Sequence, residues 1–186
     1  MSYSPSLQTL WQDRSVAGQS LVEPLLRYAR RPDVIILALP RGGVPVAYEV
    51  ATALQVRLDL MVVRKLGMPS QPEFAMGAIA SGGVRVLNPE VVRLYRIDEA
   101  TLDAVAQREL QELQRRERVY RGDHPLPELR GRQVILVDDG LATGATMIAA
   151  LHGLRHRQPA WLICAVPVAA PDALARVRPL ADEVFC

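Results

Sequence analysis

The sequence predicts an α/β fold: an open, mainly parallel twisted sheet flanked by helices, with a β-hairpin flap. Three observations carry this expectation. Residues 34–39, 134–137 and 161–168 are continuous apolar runs, the pattern of strands covered on both faces. Each run ends in a turn marked by Gly or Pro and leads into a stretch suited to a helix. A strand–helix–strand succession over 34–63 implies a parallel pair joined by a right-handed crossover.

Each element follows from local chemistry. Residues 21–29 have helical spacing, with Leu21, Leu25 and Leu26 on one side. The 34–39 strand ends at Pro40-Arg41-Gly42-Gly43, and a helix is expected over 44–54. Pro45 suits its first turn, where a missing N–H costs nothing. A second strand is expected at 58–63. Residues 67–89 break the pattern with Pro69, Pro72, Gly77, Gly82, Gly83 and Pro89. Within them, 74–80 and 84–87 can pair as a hairpin around Ser81-Gly82-Gly83, an excursion that would form the flap. Residues 98–121 read as a charged helix capped by Asp98. Its Glu112 and Arg116 are an i,i+4 pair, so its charges are expected on a solvated face. Residues 124–127 are a Pro-containing linker. The strand at 134–137 comes next, then a helix from Ala145 to about Arg157. A strand at 161–168, a short helix at 171–178 and a last strand at 182–186 complete the reading. With no internal repeat, residues 1–186 are expected to be one domain.

Bulk properties narrow the function classes. A chain of 186 residues, 49% hydrophobic, can bury a substantial core. Lys and Arg number 22 against 20 Asp and Glu, a net charge of +2 that gives no reason to expect nucleic-acid binding. No apolar run approaches the roughly 20 residues of a membrane helix. Residues 1–12 lack the pattern of a signal peptide. There are two cysteines, Cys164 inside an apolar strand and Cys186. A reduced, cytoplasmic protein is the economical expectation.

The most informative stretch is Val-Ile-Leu-Val-Asp-Asp-Gly-Leu-Ala-Thr-Gly-Ala-Thr at 134–146. A buried strand followed by a turn and a helix start puts the loop at the carboxyl edge of the sheet, where open α/β folds bind ligands. Backbone N–H groups of the loop and the helix N-terminus favour a phosphate. Asp138 and Asp139 would repel a bare polyphosphate but accept hydrogen bonds from hydroxyls. A sugar phosphate satisfies both demands. The loop lacks the Lys of a nucleotide P-loop and the spacing of a dinucleotide fingerprint. An Asp that merely caps the helix is the plainer alternative. Arg41, Gly42 and Gly43 form a second candidate loop, where glycines permit unusual backbone shapes and close approach to a ligand. Arg64 and Lys65 are expected to end the second strand on the same edge. Alternation would turn only one of them toward a ligand. His152 and His156 have the spacing of a metal pair but no third ligand in the sequence, so ordinary surface histidines are expected.

The loop Val-Asp-Asp-Gly-Leu-Ala-Thr-Gly-Ala-Thr resembles the phosphoribosyl pyrophosphate (PRPP) motif of the type I phosphoribosyltransferases. Leu39-Pro40-Arg41-Gly42-Gly43-Val44-Pro45 resembles that family's pyrophosphate loop. Val63-Arg64-Lys65-Leu66-Gly67, Pro72-Glu73-Phe74-Ala75-Met76-Gly77-Ala78, and Asp13-Arg14 with Ala17-Gly18 resemble a bacterial branch of uncharacterised members. The resemblance implies transfer of the phosphoribosyl group of PRPP to a nitrogen acceptor, a nucleobase in most of the family, with release of pyrophosphate. Asp138 and Asp139 would be the catalytic pair on the ribose hydroxyls. Ala142, Thr143, Gly144, Ala145 and Thr146 would bind the 5′-phosphate. Arg41, Gly42, Gly43, Arg64 and Lys65 would serve the pyrophosphate. Mg²⁺ would be the cofactor, held mainly through PRPP with Asp138 and Asp139 as its protein contacts. The resemblance also implies a strained or cis peptide near Arg41 and places Asp13 and Arg14 near the site.

Glu73 and Phe74 would lie in a flap that excludes water. Relatives of this branch continue into a further segment with aromatics, so the C-terminal hood is expected to be missing here. A homodimer is the common default. A PRPP-binding regulator without efficient transferase activity is the alternative on the same fold. A different sugar-phosphate enzyme, such as a phosphatase, would want a nucleophilic Asp after the first strand, where Pro40-Arg41 stands.

Overall fold

A computed structural model describes residues 11–69 and 71–186. The first helix among the described residues is α1 (Arg14–Ser20), capped by the Asp13 carboxylate, which accepts a hydrogen bond from the Val16 N–H at 2.9 Å. Helix α2 (Val22–Leu25) and a 3₁₀ turn over Leu26–Tyr28 replace the single helix expected at 21–29. The break has a local cause: Pro24 cannot donate to the carbonyl of Ser20, so α1 cannot run on. Strand β1 (Val34–Ala38), helix α3 (Gly43–Leu54) and strand β2 (Arg57–Leu60) follow. Three strands come next, β3 (Val63–Met68), β4 (Gln71–Ala80) and β5 (Val84–Leu87). Helices α4 (Pro89–Leu94) and α5 (Glu99–Arg121) lead to β6 (Gln133–Val137), α6 (Ala145–Arg155), β7 (Trp161–Ala165), α7 (Pro171–Val177) and β8 (Glu183–Phe185).

The main sheet runs β2-β1-β6-β7-β8 with every pair parallel, as the apolar runs predict. Its register sets the site. Ala38 pairs with Leu60 on one side and Val137 on the other, and Val137 pairs with Ala165. These four strands therefore end at one level. Strand residues alternate between two cores. Val34, Ile36 and Ala38 pack with Val46, Val50 and Leu54 of α3, together with Leu21 and Leu25. Ile35 and Leu37 pack with Met147, Leu151 and Leu154 of α6. Each such fully buried Leu or Ile contributes on the order of 1.5–3 kcal/mol. Cys164 sits in this interior as a free thiol, its pKa pushed up to about 12 by burial, and Cys186 is exposed. Among the described residues no helix is long and apolar enough to cross a membrane.

The region after β2 corrects the sequence reading. The strand expected at 58–63 is split between two sheets. β2 ends at Leu60, Met61 and Val62 carry the chain over, and Val63 opens β3. The flap is a three-stranded antiparallel sheet, β3-β4-β5, rather than a two-stranded hairpin. The seam is a local bond network: the Met61 N–H donates to Ala38 O at 2.9 Å, while Val62 exchanges hydrogen bonds with the buried Ser81. Gly82 and Gly83, at φ of +84° and +78°, close the β4–β5 turn as expected. Helix α5 also departs from expectation. Asp98 does cap it, accepting from the Thr101 N–H at 2.6 Å. However, one face buries Leu102, Val105, Ala106, Glu109 and Leu113 against Leu66, Met68 and Met76 of the flap sheet.

The flap's other side rests on α6, where Gly153 lies against Ala80. A Cβ on Gly153 would stand 2.9 Å from the Ala80 Cβ and 3.5 Å from Met61 Cε. Replacement Gly153→Val should overpack this contact and cost roughly 1–3 kcal/mol. Urea denaturation followed by circular dichroism would measure the loss, and an unchanged midpoint would mean that the flap yields without cost.

Candidate active site

Two loops meet at the carboxyl edge of β1 and β6. The Leu39 N–H donates to Val137 O at 2.9 Å, so the first loop starts tied to the strand that carries the acid pair. The Pro40–Arg41 peptide is cis, in agreement with the expectation for this loop. Gly42 lies flat against Asp139: a Cβ there would overlap the carboxylate. At Gly43 a Cβ would stand 2.8 Å from Val137 O and 2.9 Å from the Asp138 Cα. Gly42 has φ −62° and ψ −38°, a conformation any residue adopts. The glycines here serve close approach, not unusual backbone angles.

Asp138 and Asp139 form the floor. The Asp139 N–H donates to Asp138 Oδ1 at 2.9 Å. Burial, reinforced by the neighbouring Asp139 charge, pushes the Asp138 carboxyl up to about 7. Asp139 is balanced by Arg14, whose Nε donates to Asp139 Oδ2 at 2.7 Å. That contact spans 125 residues of sequence. The Asp13 cap fixes the first turn of α1, and α1 packs on α3, so Arg14 is aimed across the site.

Beyond the acid pair the chain curls around a cavity of about 180 Å³, lined by Asp138, Gly140 and residues 141–147. Gly144 caps α6 at φ +71°, a left-handed conformation that other residues resist. The first helical turn, Ala145 to Met147, lines the cavity, and the first N–H groups of a helix have no carbonyl partner within it. Thr143 Oγ1 faces the Ala145 N–H at 3.4 Å. From α7, Arg176 donates to the Thr143 carbonyl at 2.7 Å and braces the loop. Ala142, Thr143, Gly144, Ala145 and Thr146 all line this cavity. Arg176 carries no local sequence signal.

Arg64 and Lys65 separate. They stand on β3 in the flap sheet, not at the end of a strand of the main sheet, so their expected position is corrected. Alternation sends Arg64 to α5, where it donates to Glu109 at 2.6 and 2.9 Å. Lys65 turns the other way and lines a cleft of about 350 Å³ with Ala145, Thr146, His152 and Arg176. It lies beside the start of α6, in a different cavity from the one that Arg41 lines. Phe74 is 52% exposed on β4, its ring 6.2 Å from that of Tyr95; the Glu73 side chain lies outside the described residues. His152 borders the cleft, and among the described residues no three His, Cys, Asp or Glu groups converge as a metal site.

A further cavity of about 790 Å³ opens on the far side of Asp139. Trp11, Arg14, Pro45 and Val168 are among its walls. Sequence reasoning missed it because its walls come from the chain start, α3 and the segment after β7. The only hint was an apolar run at 161–168 longer than the strand it forms. Val166 is fully buried, and Val168 is left 42% exposed at the pocket rim.

The profile of the phosphoribosyl transferase domain matches residues 16–186. The chain belongs to the phosphoribosyl transferase family. Sequences from two strains of Mycobacterium tuberculosis, provisionally named phosphoribosyl transferases, are 51% identical to it over 178 residues. The match takes in 95% of this chain and 40% of theirs, so the chain spans well under half the length of these curated relatives. A crystal structure of a Thermus thermophilus protein superimposes with a TM-score of 0.81 at 43% identity, covering 94% of this chain and 83% of that one. A purine phosphoribosyltransferase from Pyrococcus horikoshii shares the fold at a TM-score of 0.53 and 18% identity, covering 95% and 83%.

In this member of the family the acid pair has a consequence for stability. The unfolded chain ionises Asp138 near 3.8, and the fold raises this to about 7. The native state therefore holds an extra proton between those values, and stability falls as pH rises through that window. The contribution is full below pH 3.8 and lost above about 7. Asp138→Asn should remove this part of the slope and raise the urea midpoint at pH 8 above the wild-type value. A lower midpoint at pH 8 would contradict the assigned burial cost.

Proposed function

We propose that this chain transfers the phosphoribosyl group of PRPP to a nitrogen acceptor, with release of pyrophosphate. One juxtaposition supports the reading. The two carboxylates stand between three cavities: Asp138 lines the phosphate-loop cavity, Asp139 lines the 790 Å³ pocket, and Gly42 beside Asp139 leads to the cavity of Arg41. A ribose held on the acid pair would have its 5′-phosphate, its leaving group and its acceptor each beside a separate chamber.

The roles follow from that placement. Amides from Ala142 to Thr146, with the hydroxyls of Thr143 and Thr146, bind the 5′-phosphate, and Lys65 adds charge at that end. Arg41, Gly42 and Gly43 take the pyrophosphate. Arg64, engaged with Glu109, holds the flap sheet to α5. The acceptor enters between Trp11 and Val168. Its lone pair forms the C–N bond as the bond from the anomeric carbon to pyrophosphate oxygen breaks, the electron pair leaving with that oxygen. The N–H proton of the acceptor passes to solvent or to a carboxylate of the pair. Asp138 and Asp139 stabilise the positive ribose ring, and Arg14 gives up Asp139 when the hydroxyls arrive. Positioning and electrostatics supply the catalysis.

The donor set fits magnesium. Two adjacent carboxylates, with no third ligand grouped beside them among the described residues, suit an ion bound mostly by substrate oxygens and water. Asp138 and Asp139 would hold it, and it would neutralise charge on the pyrophosphate.

Calorimetric titration with PRPP, with and without Mg²⁺, tests the reading. Wild type should bind with magnesium. The pair Asp138→Asn with Asp139→Asn should keep the fold yet lose turnover by at least about a hundredfold. Normal turnover in that variant would sink the role given to the acid pair. Pyrophosphate release across a panel of nucleobases then decides the chemistry; tight PRPP binding without release would point to a regulator. Gly144→Val, strained at φ +71°, should abolish binding of ribose 5-phosphate as well as PRPP.

A further inference from the structure

The face of α5 nearest the Arg41 loop carries charge that the helix's own ion pairs leave unbalanced. Arg41, Arg115, Arg116, Val119 and Tyr120 line one cavity of about 310 Å³. The carboxylate bonded there is Glu112, which accepts from Arg115 Nε at 2.7 Å and from Arg116 Nε at 2.8 Å. One carboxylate between two guanidiniums, with Arg41 added, leaves a surplus of positive charge in a confined space. Such a cluster attracts a multivalent anion, and the guanidinium fork matches phosphoryl oxygens two at a time.

The arrangement is fixed rather than incidental. Residues 115, 116, 119 and 120 fall on one helix face, while Leu102, Val105, Glu109 and Leu113 are buried in the flap contact. The helix cannot roll its arginines away without exposing that core. Its end is pinned as well: Arg121 pairs with Asp59 at 3.0 Å and donates to Leu60 O at 3.1 Å. Both partners lie on β2, the strand beside β1, whose loop carries Arg41. Arg41 alone is a thin counter-charge for a departing pyrophosphate.

We propose that α5 completes the pyrophosphate site, with Arg115 and Arg116 joining Arg41 on the pyrophosphate of PRPP and holding it as the bond to the anomeric carbon breaks. This rests on the phosphoribosyl-transfer reading above. The electron pair of that bond goes to the leaving oxygen, and the added charge falls beside the three guanidiniums. Calorimetry with Mg²⁺–PRPP, Mg²⁺–pyrophosphate and ribose 5-phosphate tests it on wild type, on Arg115→Gln/Arg116→Gln, and on Arg118→Gln as a control for bulk charge. The double variant should weaken PRPP and pyrophosphate at least about tenfold and leave ribose 5-phosphate unchanged. Arg118→Gln should leave all three unchanged. A second variant, Arg115→Lys/Arg116→Lys, keeps the charge and should recover part of the loss. Unchanged PRPP and pyrophosphate affinity in the glutamine variant overturns the proposal, as does an equal loss for ribose 5-phosphate. If wild type binds pyrophosphate through the arginines but not PRPP, the transfer reading fails while the anion site stands. If wild type binds none of the three, both fall.

Discussion

The in-register parallel pairing of β1 with β6 is the constraint on which the site depends. Ala38 faces Val137, so the loop after one strand and the acid pair after the other emerge at the same height. The contact between them is then close enough that Gly42 and Gly43 are dictated by space alone. A slip of one residue would turn each strand's core residues to the wrong face and separate Gly42 from Asp139. The buried Val, Ile and Leu of both strands hold that register against both flanking helix layers, with Leu39 bonded to Val137 at the rim.

Charge is then distributed around that fixed edge. Asp138, partly removed from water, resists ionisation, whereas Asp139 is paired with Arg14. The acid pair thus keeps one counter-ion, while further positive charge stands on Arg41, Arg115 and Arg116 along one cavity and on Lys65 and Arg176 along another. A ligand with hydroxyls in the middle and phosphoryl groups at both ends matches this order of charges. The flap sheet presents Lys65, α5 presents Arg115 and Arg116, and α7 presents Arg176, and none of these elements belongs to the main sheet.

Much of this was legible in the sequence. Long apolar runs announced the parallel strands, because strands covered on both faces need no polar alternation. The 134–146 loop was legible because its chemistry is local: acid pair, small residues and helix start are contiguous. The region from Val63 to Leu87 was not. Apolar alternation looks the same whether a strand extends the main sheet or opens another, and the switch at Met61 and Val62 depends on bonds to Ala38 and Ser81. Arg64 was therefore placed at the wrong sheet. Likewise α5 looked solvated because its apolar residues are diluted by charge, though their spacing still suffices for one buried stripe.

The sequence by itself determined the fold class, the two loops and the small residues that follow the acid pair, since each is encoded by neighbours a few positions apart. Tertiary structure alone decided what those loops face. Arg14 on Asp139, Arg176 on Thr143, and Arg115 and Arg116 beside Arg41 join residues separated by 125, 33 and more than 70 positions. Such contacts follow from the order of strands in the sheet and the direction in which a helix crosses its edge. Neither has a local signature, because both are set by the packing of whole elements.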